Sequence, residues 1–198
     1  MKKLFLAMAL ALCLSNVKSQ IFTAKDGATT VTFFSAAPLE NIEAVNKGAI
    51  IVLNANSSDL QVRVTMQNFK FKNSLMEEHF NENYMETEKK GPKDATGAVS
   101  YPNRNAVFKG KINEKIDYNV DGENKVTVTG KMDMHGVTKD LTLNGTLKKA
   151  GSEIVLYSKF EIKVADYNIK VPTMYVKNIA ETVDVTINSS LEPYQKKQ

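Results

Sequence analysis

The chain has 198 residues, 26 basic and 22 acidic side chains, 42% hydrophobic residues, two histidines, one cysteine and no tryptophan. That length is one domain with enough interior for a real core, and a single thiol rules out a disulfide framework. The small positive charge carries no basic stripe of the kind that neutralises a run of phosphates, so nucleic acid is not an expected partner.

The chain opens with Met1-Lys2-Lys3, an apolar run of 11 residues from Leu4 to Leu14, and Ser15-Asn16-Val17-Lys18-Ser19-Gln20. This is the charged, apolar and small-residue order of a secretory leader, and the run is too short to cross a bilayer of about 30 Å hydrocarbon. Val17 and Ser19 place the expected cut between Ser19 and Gln20. Cys13 lies inside the leader after Leu12, where a lipid anchor needs a small residue, so the product is expected to be non-lipidated, thiol-free and periplasmic or secreted. Loss of Lys2, Lys3 and Lys18 leaves 179 residues with 23 basic against 22 acidic side chains.

From Thr29 onward short alternating runs broken by turn residues predict an all-β, antiparallel domain. Strands are expected at Thr29–Ser35, Ala49–Asn54 and Leu60–Asn68. Ser74 as cap and Glu77 three residues later then predict a short amphipathic helix over 74–85, carrying Leu75, Met76, His79, Phe80 and Tyr84 at helical spacing. Lys89–Arg104, with Gly91, Pro92, Gly97 and Pro102, reads as a long, exposed, mobile loop. Strands follow at Ala106–Asn113, Ile116–Val120, Val126–Met134, Leu141–Leu147, Ile154–Val164 and Thr182–Ile187, with turns at Asp121-Gly122, Gly136 and Ala150-Gly151. Ile154, Leu156, Ser158, Phe160, Ile162 and Val164 share one uncharged face, opposite Glu153, Lys159, Glu161 and Lys163. On that reading Phe160→Asp costs both fold and ligand, and Lys159→Asp at most about half a kcal/mol. Leu191–Gln198 reads as a polar tail.

No catalytic signature is present: no nucleophile elbow, zincin helix, P-loop or dinucleotide fingerprint. His79 and His135 are two isolated imidazoles without a third ligand at zinc spacing, so each is expected to make an orienting hydrogen bond and no metal is expected. Glu77, Glu78, Glu82, Glu86 and Glu88 read as a solvated acidic surface. Met66, Phe69, Phe71, Met76, Phe80, Met132, Met134, Phe160 and Met174 are bulky or adaptable groups with no polar demand, suited to a core or to an apolar ligand.

Four stretches resemble the YceI-like family of exported lipid-binding proteins, also described as polyisoprenoid-binding. They are Thr30-Val31-Thr32-Phe33-Phe34-Ser35 with Pro38-Leu39-Glu40, the segment Met76–Glu86 around His79, Val183–Ile187, and Gly130-Lys131-Met132-Asp133-Met134-His135-Gly136-Val137-Thr138-Lys139, the most specific. The resemblance implies a lipocalin-like, extended eight-stranded antiparallel barrel with one short helix near residues 74–85. An amphiphilic lipid, such as an isoprenoid quinone, polyprenyl lipid or fatty acid derivative, would occupy the lumen. Candidate lumen residues are Met66, Phe69, Phe71, Met76, Phe80, Phe108, Met132, Met134, Leu143, Leu156, Phe160 and Ile162.

The expected function is a non-enzymatic carrier or store, monomeric or homodimeric, with transient membrane contact and no cofactor besides the lipid. Its polar head would lie at the mouth, under the helix and the long loop. The alternative is a structural or interaction barrel filled by its own side chains. A lumen of several hundred Å³ favours the first reading, a packed interior the second.

Overall fold

The computed structural model describes residues 20–36, 41–170 and 180–195. In chain order the elements are β1 (Ile21–Ser35), β2 (Ile42–Asn46), β3 (Ile50–Asn54), β4 (Asp59–Thr65), β5 (Lys70–Phe71), α1 (Ser74–His79), β6 (Asn105–Ile112), β7 (Gly122–Met134), β8 (Val137–Ala150), β9 (Glu153–Lys163) and β10 (Thr182–Pro193). Neighbours pair antiparallel around the ring β1-β10-β9-β8-β7-β6-β4-β3, and β3 returns to β1. The result is the expected closed eight-stranded barrel, the size whose interior holds side chains or one small ligand.

Alternation builds the wall. In β1 the residues Thr29, Val31, Phe33 and Ser35 are buried, and in β7 Val126, Val128, Met132 and Met134 are, while the intervening polar side chains of β7, from Thr127 to Asp133, point outward. Strand exchange at one end adds β2 and β5, which sequence did not anticipate. Both β2 and β3 run along β1, as Ser35↔Ile42 and Thr23↔Val52, and β4 pairs β3 while β5 pairs β2. Each pair is thus one strand with a break, at 47–49 in the first and at the 3₁₀ turn Met66–Asn68 in the second. Fully buried Asn46 ties the breaks together, donating from Nδ2 to the Thr65 carbonyl at 2.8 Å and accepting the Gly48 N–H at 2.8 Å.

Several local expectations are corrected. Ile116–Val120 forms no strand, because the Asp117 carboxylate takes the Asn119 N–H at 2.9 Å and turns the backbone away from a ladder. Tyr118 is tucked inward against Phe22 at 6.2 Å instead. Asp121-Gly122 opens β7 rather than forming a tight turn, and Asp121 accepts the Gly151 N–H at 3.0 Å. The helix is capped by Asn73, not Ser74: Asn73 has extended backbone and its side chain accepts the Leu75 N–H at 2.8 Å. Glu77 bonds Lys70 at 2.5 Å rather than closing a capping box, and α1 continues into a π turn over Phe80–Tyr84. β10 runs to Pro193 with Leu191 fully buried, so the tail begins later than expected.

The 89–104 segment is largely exposed, as expected, but it is folded on itself. A hairpin pairs Lys93 with Val99, and Gly91 N–H donates to the Ser100 carbonyl at 2.9 Å. Arg104 stacks 3.6 Å from the Tyr101 ring centre and pairs with Glu88. Its carbonyl accepts the Met66 N–H at 2.8 Å, which fastens the segment to the broken strand.

Candidate functional site

The barrel encloses a cavity of about 130 Å³. No lining side chain is charged; besides the phenols Tyr84 and Tyr157, the polar ones are Asn144, Thr146 and Ser158, which sit together on β8 and β9. Ten of the twelve candidate lumen residues reach it: Met66, Phe69, Phe80, Phe108, Met132, Met134, Leu143, Leu156, Phe160 and Ile162. Met76 and Phe71 do not. Met76 is half-buried on α1, and Phe71 packs behind an aromatic cluster, tilted against Phe80 at 5.0 Å and edge-on to Phe33 at 6.2 Å. Met174 falls outside the described residues.

The sequence reading missed Val31, Phe33, Tyr84 and Met85 as lining groups, together with the valines of β4 and β7. For Val31, Phe33 and the valines the signal was the same two-residue alternation, whereas Tyr84 and Met85 lie in and just after the π turn, where alternation gives none. Phe33, Phe69, Phe80 and Tyr84 form a cluster with centroids 5.8 to 6.3 Å apart. It plugs the barrel end where the π turn enters, so the helix supplies wall and stopper together.

The volume separates the expectations less cleanly than anticipated. It is well below several hundred Å³, because Phe and Met side chains fill the bore, yet it is larger than any gap in a close-packed core. Methionine has three rotatable bonds and no polar demand, so the bore can widen by rotamer change at Met66, Met85, Met132 and Met134.

Polar groups border the chamber rather than enter it. His135, in the two-residue turn between β7 and β8, has φ 54° beside Gly136 at 73°, the left-handed pair of a type I′ hairpin. Its Nδ1 lies 3.0 Å from the Tyr167 carbonyl and its Nε2 3.6 Å from Glu86, with only 8% of the side chain exposed. That is an orienting contact at a turn, as the sequence led us to expect. The Lys89 ammonium holds the Glu86 carboxyl below its usual range. Burial pushes the Tyr84 phenol upward and raises Tyr118 to about 12. Among the described residues no three His, Cys, Asp or Glu side chains converge as metal ligands. On the acidic surface Glu77, Glu86 and Glu88 are paired with Lys70, Lys89 and Arg104.

Solved structures share this architecture at low identity. A polyisoprenoid binding domain from Saccharophagus degradans superposes with TM-score 0.68 at 16% identity, covering 89% of this chain and 100% of its own. BcnA from Burkholderia cenocepacia gives 0.64 at 15% identity, over 85% and 98% of the two chains. The Campylobacter jejuni YceI protein gives 0.50 at 18% identity over 100% of both. No curated protein matches the sequence. The YceI-like domain model matches residues 15–191, nearly the whole chain, so the chain belongs to the YceI-like family.

Proposed function

We propose that the protein is an exported, non-enzymatic carrier or store that holds the tail of an amphiphilic lipid in the barrel lumen. The observation that carries this reading is an apolar chamber inside the barrel with no charged lining residue. Water gains nothing there, whereas each methylene moved out of water contributes about 0.8 kcal/mol. An apolar cavity of about 150 Å³ stays dry and takes a small hydrocarbon. The present bore therefore accepts part of a tail as it stands, and methionine rotamers make room for the rest. The Saccharophagus degradans domain, described as polyisoprenoid binding, supports a long, flexible tail such as that of a quinone, polyprenyl lipid or fatty acid derivative. The leader-like residues 1–19 support export to the periplasm or beyond.

Native mass spectrometry of the protein from its own host tests the reading. A stoichiometric lipid adduct is expected, and its mass gives chain length and head group. A second reading rests on the same cavity: about 130 Å³ is below the usual range of about 300–1,000 Å³ for ligand pockets, which favours a filled interaction barrel. Protein without lipid from its host, and without uptake of a fluorescent fatty acid in vitro, would select it.

A further inference from the structure

The barrel wall is not equally closed all round. β8 and β9 pair only from Ala150↔Glu153 to Gly145↔Ser158. Beyond that point β8 stays with β7 through Val137↔Met134, and β9 stays with β10 through Lys163↔Thr182. Two strand edges, 137–144 and 159–163, therefore run on without pairing to each other. At strand rise of about 3.4 Å per residue the gap is about 15 to 25 Å long.

Both ends of the gap are fastened. At the closed end of the ladder Ser158 Oγ donates to the Asn144 carbonyl at 2.7 Å. At the other end the His135 ring meets the Tyr167 carbonyl at 3.0 Å, and Lys139 lies 3.8 Å from Asp166. The result is a slot with two clasps rather than a frayed edge.

Exposure shows where the lumen meets solvent. Every cavity-lining residue is buried except 143–146 on β8, 157, 158 and 160 on β9, and Val185, and Val185 is the strand partner of Phe160. Tyr157 and Asn144 belong to the outer face, yet both border the cavity. Both lie within one residue of Gly145↔Ser158, the last rung before the unpaired edges begin.

We infer that this slot between β8 and β9 is a lateral portal through which a single hydrocarbon tail passes into the lumen. The inference rests on the lipid-carrier reading. Phe33 of the aromatic cluster pairs with Val185, itself the partner of Phe160, so the cluster fills the bore at the level of the slot and leaves the gap between the strands as the direct way in. A tail threading sideways crosses Leu143 and Phe160, both apolar and half-exposed, and Gly145 lacks the side chain that would narrow the passage. Gly145 has no room for one, since a Cβ there would sit 2.6 Å from the Tyr157 carbonyl. A flexible chain fits such an opening, whereas a fused-ring lipid needs the strands to separate.

Three serine-to-cysteine variants test the portal in a chain carrying Cys13→Ser: Ser158→Cys at the closed end of the slot, Ser189→Cys in the closed wall and Ser152→Cys in the outer turn. A charged, bulky maleimide should label positions 158 and 152 at similar rates, and position 189, fully buried, at least about a hundred times slower, because a closed wall reacts only through local opening. The adduct at 158 should slow uptake of a linear fluorescent polyene fatty acid by about tenfold or more, and the adduct at 152 should leave it unchanged. Labelling at 158 as slow as at 189, or unchanged uptake by the 158 adduct, overturns the portal. If the wild-type chain takes up no probe at all, the carrier reading fails first and the portal with it, and the labelling pattern then reports only a solvent inlet. Should Ser158→Cys fail to fold, Phe160→Cys gives the same comparison.

Discussion

Truncating Phe108 to alanine is the sharpest measure of how tightly the lumen is built. The side chain is only 3% exposed, its strand partner is Met132, and it borders the cavity. The ring also lies over Gly110, where a Cβ would meet it at 2.8 Å. Phe→Ala in a core costs about 3–5 kcal/mol, of which a ring-sized void of about 100 Å³ accounts for about 2.4 kcal/mol. One flank of Phe108 already faces open space and has fewer contacts to lose, so the low end, about 3 kcal/mol, is expected. Urea unfolding should show this with an unchanged m-value, and the melting temperature should fall by about 6–12 °C for a chain of this size. The same deletion widens the bore, so the ligand-free protein loses stability while affinity for a longer or more branched acyl probe rises. A loss under about 1 kcal/mol would mean that Phe108 is not packed into the wall. The expected loss without any shift in chain-length preference would mean that the cavity is not where tails bind.

Gly130→Ala should be poorly tolerated, since its Cβ would fall 2.3 Å from the Lys109 carbonyl and 2.4 Å from the Gly110 Cα; both are backbone, so β6 and β7 must part, at about 3 kcal/mol or more by thermal melt. Alkali should destabilise the fold through its buried phenols. Tyr118 titrates near 12 folded against about 10 unfolded, so its contribution is complete below pH 10 and lost as pH rises toward 12, at up to about 1.4 kcal/mol per pH unit. Tyr118→Phe should flatten that part of the stability–pH curve relative to the parent chain. Lys159→Asp should cost more than the roughly half kcal/mol expected from sequence: Lys159 lies 3.0 Å from Asp184, so the change removes a partly exposed pair and sets like charges side by side, about 1 kcal/mol in unfolding titrations. Phe160→Asp, at the water-accessible slot, should lower lipid affinity more than stability, which parallel binding and melting measurements separate.

The fold was legible because a half-buried strand writes its geometry into every second residue. β7 and β9 declare their inner faces by Val126, Val128, Met132 and Met134 and by Leu156, Phe160 and Ile162. The features that escaped are those in which a side chain overrides the pattern. Asn46 converts two strands into four short ones, and Asp117 turns what looks like strand into loop. Asn73 pre-empts Ser74 as cap. Each depends on one side chain's hydrogen bonds, which local periodicity does not show. The slot was hidden for a different reason. Alternation continues unbroken through Leu141, Leu143, Phe160 and Ile162, so sequence records which face each strand presents but not where two strands stop pairing.

Closure of the ring by β1 against β10 also governs how the chain can be made. Phe33 lies opposite Val185, and each end of the barrel's first strand waits for a partner synthesised almost the whole chain later. Contacts of such long sequence separation form slowly, because most of the loop entropy must be lost before they contribute. Until β10 emerges, β1 has lost half of its hydrogen-bonding surface and the lumen has no wall on that side. A nascent copy therefore stays open and unfinished for the full time of its synthesis. It completes its hydrophobic interior only once the last strand is free, which makes a C-terminal truncation within β10 a defect in folding rather than a local loss.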